Sequence, residues 1–176
     1  MPNLKDRKSE LTGSRSFFRK IIFPIIFSIL CILCWYGNGL LLVIEPEAKV
    51  NPIVENIKIG DTYRLSFTHS VELTTWDEYF IVNGPNDMVM THTEFSSFGW
   101  GFPYLSTDGK FSTTKDGRFR LDMNRPYPKV PLRISEQAMQ KIIYKDKAFD
   151  LVALYGQGSA VTIYALKRYE YWFNKF

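Results

Sequence analysis

Past residue 34 the sequence has no cysteine, so no disulfide can staple the rest of the chain together. It has only two histidines, His69 and His92, which leaves few ways to build a histidine-rich metal centre or a histidine-based triad. Charge is missing from a long run: the 24 residues from Ile21 to Ile44 carry none. A basic excess is missing from everything that follows. Residues 1–20 hold six of the 22 positive side chains and two of the 18 negative ones, which is the whole formal excess of +4. From residue 45 onward the two signs balance, so the main domain has no surplus to neutralise phosphates and nucleic acid is excluded as a partner. Internal repeats and low-complexity tracts are absent too. With 45% hydrophobic and 16% aromatic residues the chain is not disordered.

What is present begins with a membrane signal. Residues 1–20 read as a basic cytoplasmic tail and residues 21–38 as a transmembrane anchor or signal segment, IIFPIIFSILCILCWYGN. Phe17 and Phe18 can extend the helix, with Arg19 and Lys20 reaching back to the headgroups. Trp35 and Tyr36 stand at its far end, where an aromatic belt is expected. Because the positive charge lies on the N-terminal side, the positive-inside rule places residues 1–20 in the cytoplasm and 45–176 outside it. A cleaved secretory signal, cut near Gly37-Asn38-Gly39, is the competing reading and delivers the domain to the same side. Cys31 and Cys34 form a Cys-x-x-Cys, but inside hydrocarbon a thiolate would not form, and Leu30 and Leu33 do not fit a lipoprotein box. They read as small apolar residues of a helix.

From residue 40 to 167 the periodicity is mostly two. LLLVIE at 40–45 reads as a strand, and Tyr63, Leu65 and Phe67 alternate with Arg64, Ser66 and Thr68. Further strands are expected at 88–97, 117–123, 129–134, 149–155 and 159–166, separated by glycine- and asparagine-rich turns. Ser135–Lys141 reads as a short helix with Ser135 as N-cap. The fold class expected is all-β, an antiparallel sandwich or partly open barrel, preceded by one N-terminal transmembrane helix.

Hairpin parity brings polar residues together. If Val71 faces Trp76, then Phe67 faces Phe80 and His69 faces Glu78. If Val82 faces Met88 in the next hairpin, His92 faces Glu78 from the other side. A row His69–Glu78–His92 results, with Cβ atoms about 5 Å apart. It is either a buried network in which the histidines satisfy Glu78, or a set of ligands for a catalytic zinc. Ser70 would point away from His69 and lies in no G-x-S-x-G context, which argues against a serine nucleophile. No cofactor is otherwise indicated. Ser97-Phe98-Gly99-Trp100-Gly101-Phe102-Pro103 cannot be ordinary central strand. Its aromatics either plug a core or clamp a ligand or partner.

Thr68-His69-Ser70-Val71-Glu72, Glu78 some nine residues beyond the histidine, and the Ser97–Pro103 segment together resemble the bacterial domain-of-unknown-function family numbered 1850. Gly60-Asp61 and the stretch Asp150 to Ala165 with its Gly156-Gln157-Gly158 turn fit the same pattern, so that the resemblance spans roughly residues 40–166. Trp100 stands where the pattern suggests a small residue. The resemblance implies an exported domain behind a hydrophobic segment, often encoded beside TRAP-type (tripartite ATP-independent periplasmic) transporters of the TAXI branch. It therefore implies a transport accessory whose partners are the membrane and the transporter's membrane subunit or its solute-binding protein, and it implies no enzymatic activity. His69, Ser70, Glu72, Glu78, His92, Phe98, Gly99, Trp100, Gly101, Phe102 and Pro103 are the candidate contact residues. A metal-dependent hydrolase built on His69, Glu78 and His92, or a structural envelope protein with no small ligand, are the alternatives.

Residues 168–176 carry five aromatics behind Lys167 and Arg168. So aromatic a tail is expected to pack back as an edge strand, with Tyr169, Tyr171 and Phe173 on one face, or to rest in the headgroup region or on a membrane partner.

Overall fold

The structure, a computed structural model, describes the backbone of residues 4–97 and 109–174, and side chains from Arg19 onward. The chain divides into two units, Met1–Asn38 and Gly39–Phe176. The first is a single helix, α1 (Leu4–Gly37), which starts well before the expected membrane segment. Its stretch Arg19–Gly37 is long and apolar enough to cross a membrane.

The second unit is built from β1 (Leu40–Pro46), β2 (Ile53–Ile57), β3 (Thr62–Thr68), β4 (Thr75–Gly84), β5 (Asp87–Phe95), β6 (Lys110–Thr113), β7 (Phe119–Tyr127), β8 (Val130–Arg133), β9 (Lys141–Tyr144), β10 (Lys147–Asp150), α2 (Leu151–Tyr155), β11 (Ala160–Lys167) and α3 (Arg168–Asn174). All pairings are antiparallel, in a four-stranded sheet β2-β1-β11-β8 and a seven-stranded sheet β10-β9-β3-β4-β5-β7-β6. The sandwich expectation holds, and among the described residues neither sheet closes into a barrel.

Alternation explains the core. Leu42 and Ile44 of β1 with Val161 and Ile163 of β11 meet Tyr63, Leu65, Phe80, Val82 and Met88 of the larger sheet. Tyr63 and Phe80, directly opposite on β3 and β4, stack with centroids 5.0 Å apart. β1 is apolar on both faces because both are covered: Leu41 and Val43 turn away from the core and, with Leu166, pack under Tyr171 of α3.

Several local expectations change. The stretch 149–155 is the end of β10 followed by α2, because the Asp150 carboxylate accepts the Ala153 N–H and starts a helix turn. Ser135–Lys141 is a hydrogen-bonded turn in which Ala138 and Met139 donate to the Ser135 carbonyl, not a helix. Met139, at φ 46°, ends the turn, and Lys141 opens β9. The C-terminal tail folds as helix α3 rather than as an edge strand. Glu170 reaches back to accept the Lys167 N–H at 2.9 Å, one half of a capping box, and this starts the helix.

Candidate functional site

The expected row His69–Glu78–His92 does not form. In the β3–β4 hairpin Phe67 faces Trp76 and Leu65 faces Glu78, four residues away from the register in which Phe67 faces Phe80. Face parity is unchanged by an even shift, so the apolar sides still coincide. The turn is longer than expected. His69 N–H donates to the Thr74 carbonyl and Leu73, at φ 52°, closes the loop. His69 thus leaves the strand and its Nδ1 accepts the Glu72 N–H at 3.4 Å, while its ring stacks on Trp76 at 5.5 Å.

His92 is displaced by a bulge. Val82 faces Met88 and Phe80 faces Met90 as expected, but Thr91 is an extra residue, so that His92 faces Tyr79 and Glu78 faces Thr93. The Thr91 hydroxyl, bonded to the Tyr79 carbonyl at 3.2 Å, pins the bulge. Glu78 and His92 therefore lie on opposite faces of the larger sheet. Among the described residues no group of three or more His, Cys, Asp or Glu side chains is placed to hold a metal.

The structure does bring two sequence motifs to one end of the larger sheet. The Ser97 hydroxyl donates to Glu72 Oε2 at 3.3 Å, joining the His69–Glu72 turn to the start of the aromatic segment. Ser70 is exposed on that turn. Phe98, Gly99, Trp100, Gly101, Phe102 and Pro103 lie outside the described residues. Below the turn, Phe67, Trp76, Phe95 and Phe119 run as an aromatic row across β3, β4, β5 and β7.

On the outer face of the same sheet lies a charged lattice that sequence reasoning missed. Asp77 at its centre is 2% exposed. Its Oδ2 meets Arg118 at 2.8 Å and Arg64 at 3.6 Å, while Oδ1 has no hydrogen-bond partner among the described residues. Arg118 also donates to the carbonyl and carboxylate of Glu94, at 3.0 and 3.4 Å. Arg120 links Glu94, at 3.6 Å, to Asp122, at 2.8 Å. Tyr79 donates to Glu94 and stacks on His92 with centroids 4.1 Å apart. Three guanidinium groups and three carboxylates balance, which suits a rigid recognition face better than a centre for charge development.

Two titrating groups flank these features. Burial pushes the Glu78 carboxyl up from its ordinary value, partly offset by the charge of Arg125. Burial, then Arg120, pulls His92 down against the opposing pull of Glu94 and Asp122. At the edge of the smaller sheet, Asp61 accepts from Tyr144 at 2.6 Å, and that bond is the main cause of its lowered value.

A groove of about 1050 Å³ runs between α3 and the outer face of the smaller sheet, walled by Glu45, Lys129, Tyr164, Leu166, Tyr169 and Phe173. Tyr164 donates to Glu45 at 2.6 Å inside it, and Lys129 lies over the Tyr164 ring at 5.3 Å.

No curated protein and no solved structure matched the chain. A family model described as "Domain of unknown function (DUF1850)" matches residues 63–151, a span that holds nearly all of the seven-stranded sheet but only β8 of the smaller one. The charged lattice and the His69–Glu72–Ser97 junction therefore fall within the matched part, and the chain belongs to the DUF1850 family.

Proposed function

We propose that the chain is a membrane-anchored, extracytoplasmic accessory domain that binds a component of a TRAP-type solute transporter, either its membrane subunit or its solute-binding protein. The order of parts supports the anchored, exported half of this reading: a basic segment, a span of 19 residues with mean hydropathy 2.0, and a β-sandwich whose first strand begins at Leu40; the transporter half rests on what the family resemblance implies. The basic flank supports an N-terminus on the cytoplasmic side, by the positive-inside rule. Further support comes from the balanced charge of the sandwich and from its arginine–carboxylate lattice, which offers a preorganised polar face of the kind protein partners read. Membrane and transporter are the partners; the turn carrying His69, Ser70 and Glu72 and the neighbouring lattice are the contact surfaces we assign to the transporter component. The DUF1850 description names no enzymatic activity.

Cross-linking in native membranes, followed by purification through a tag on the full chain, tests the reading. A transporter membrane subunit or solute-binding protein should co-elute, and Glu72→Lys or Arg120→Glu should reduce its recovery at unchanged levels of folded protein. Recovery of neither component in repeated purifications would sink the transporter assignment.

A further inference from the structure

Three neighbouring strands of the smaller sheet set unlike groups side by side on its outer face. β11 runs there between β1 and β8. Tyr164 of β11 faces Val43 of β1, so Glu45, two residues further along β1, is its diagonal neighbour. The Tyr164 hydroxyl donates to the Glu45 carboxylate at 2.6 Å. On the other side Lys129, the residue before β8, holds its Nζ over the Tyr164 ring at 5.3 Å. A carboxylate and an ammonium thus flank one phenol ring.

Neither charge is ion-paired. Among the described residues no basic group pairs with Glu45 and no carboxylate pairs with Lys129. The ring between them, fixed by its own hydrogen bond, keeps the two from meeting. Burial, then the bond to Glu45, pushes the Tyr164 phenol up from its ordinary value, so the hydroxyl keeps its proton and its place. Glu170, the other acid of the groove, is held at the start of α3, where it accepts from the Lys167 amide at 2.9 Å and the Tyr169 hydroxyl at 3.3 Å. The walls are apolar: Leu166 and Pro131 on the sheet, Tyr169 and Phe173 on α3. At about 1050 Å³ the groove stands at the upper end of the size of small-molecule sites and shares their make-up, apolar walls with a few convergent polar groups.

Charge complementarity names the occupant. An anion that reached Lys129 would also face Glu45, and a cation that reached Glu45 would also face Lys129. A molecule carrying both signs satisfies both, with its ammonium toward Glu45 and its carboxylate toward Lys129, and lays its side chain against the α3 wall. We propose that the groove between α3 and the smaller sheet is a binding site for a small zwitterion of the amino-acid class with an apolar side chain. The proposal is independent of the transporter reading.

Fluorine NMR on the full-length protein in detergent micelles tests it, with protein-free micelles as the blank. The probes are two zwitterions, para-fluoro-L-phenylalanine and para-fluoro-L-phenylalanylglycine, and two singly charged analogues, para-fluorophenethylamine and para-fluorophenylpropionate. At least one zwitterion should bind with a Kd of about 1 mM or tighter, and at least about tenfold more tightly than the amine or the acid. Glu45→Gln keeps an acceptor for Tyr164, and Lys129→Met keeps an unbranched chain over the ring. Each should weaken zwitterion binding by about tenfold at an unchanged melting temperature. No binding of either zwitterion at about 5 mM would overturn the proposal. The amine or the acid binding as tightly as the better zwitterion would overturn it too. Zwitterion binding that either variant leaves unchanged would place the probe outside the groove and equally overturn it.

Discussion

Arg118 and Asp77 are paired, yet removing one should cost far more than removing the other. Asp77 is the deeper group, its side chain 3% exposed against 20% for Arg118. In Arg118→Met the Asp77 carboxylate keeps only Arg64, at 3.6 Å, and its Oδ1 gains nothing. A buried carboxylate stripped of its main cation costs about 3–5 kcal/mol. In Asp77→Leu the guanidinium still donates to the carbonyl and carboxylate of Glu94 and still reaches water. The same substitution removes a poorly satisfied buried charge, so the loss should be no more than about 1–2 kcal/mol. The double variant should lose less than the sum of the two, with a coupling of about 2–3 kcal/mol. Urea unfolding of the domain from Gly39 onward measures all three, and for a domain of this size Arg118→Met should lower Tm by roughly 10–15 °C. Equal losses for the two single variants, or additivity in the cycle, would refute the view that Asp77 is a desolvated charge held mainly by Arg118.

Glu78 titrates in the opposite sense from a salt-bridged acid. Its folded value lies above the unfolded one, so the folded state binds the extra proton, and stability should fall as pH rises above the ordinary glutamate range through the raised value. Glu78→Gln should flatten that decline, and unchanged pH dependence would contradict it. His92 has a lowered folded value, so the unfolded state binds the extra proton and stability should fall as pH drops below about 6.5. His92→Gln should remove part of this acid loss in a pH series of urea midpoints. Gly109 stands at φ +153°, and a Cβ there would lie 1.9 Å from the Asp122 carbonyl oxygen at the edge of the sheet. Gly109→Ala should therefore cost more than about 1 kcal/mol in the same assay.

How much of this was legible depended on how strongly each segment is patterned. β1 is apolar at five successive positions and could only be a strand covered on both faces. The β4–β5 turn announces itself through Asn83-Gly84-Pro85-Asn86-Asp87, and its first pairs came out as expected. The β3–β4 register did not, because hydrophobic parity cannot tell one even shift from another and the loop His69–Thr74 has no glycine or proline to fix its length. The bulge at Thr91 left a trace in the sequence. Met88 and Met90 are apolar at even positions while Phe95 is apolar at an odd one, so the alternation changes phase between them. β2, β6 and β9 escaped notice and β10 was seen only at its end, since these are short edge or near-edge strands that carry Glu55, Lys110, Lys141 and Lys147, charges of the kind that keep edges from pairing. The Asp77 lattice was not legible at all, since its members come from β3, β4, β5 and the start of β7 and meet only when four strands are in register. α3 was read correctly as packing on the domain and wrongly as a strand. The Glu170 cap, three residues past Lys167, was the signal that separates the two.

Where the sandwich stands relative to the membrane is the central question, and thiol labelling answers it most directly. In the full chain with Cys31→Ala and Cys34→Ala, a single cysteine is placed at the exposed position Asp146, in the turn between β9 and β10. Intact spheroplasts are treated with a membrane-impermeant maleimide, and membrane-bound protein is scored for modification before and after permeabilisation. A domain outside the cytoplasm on an uncleaved anchor predicts full-length protein in the membrane fraction, modified to the same extent in both samples. Modification only after permeabilisation would place the sandwich in the cytoplasm and contradict the account.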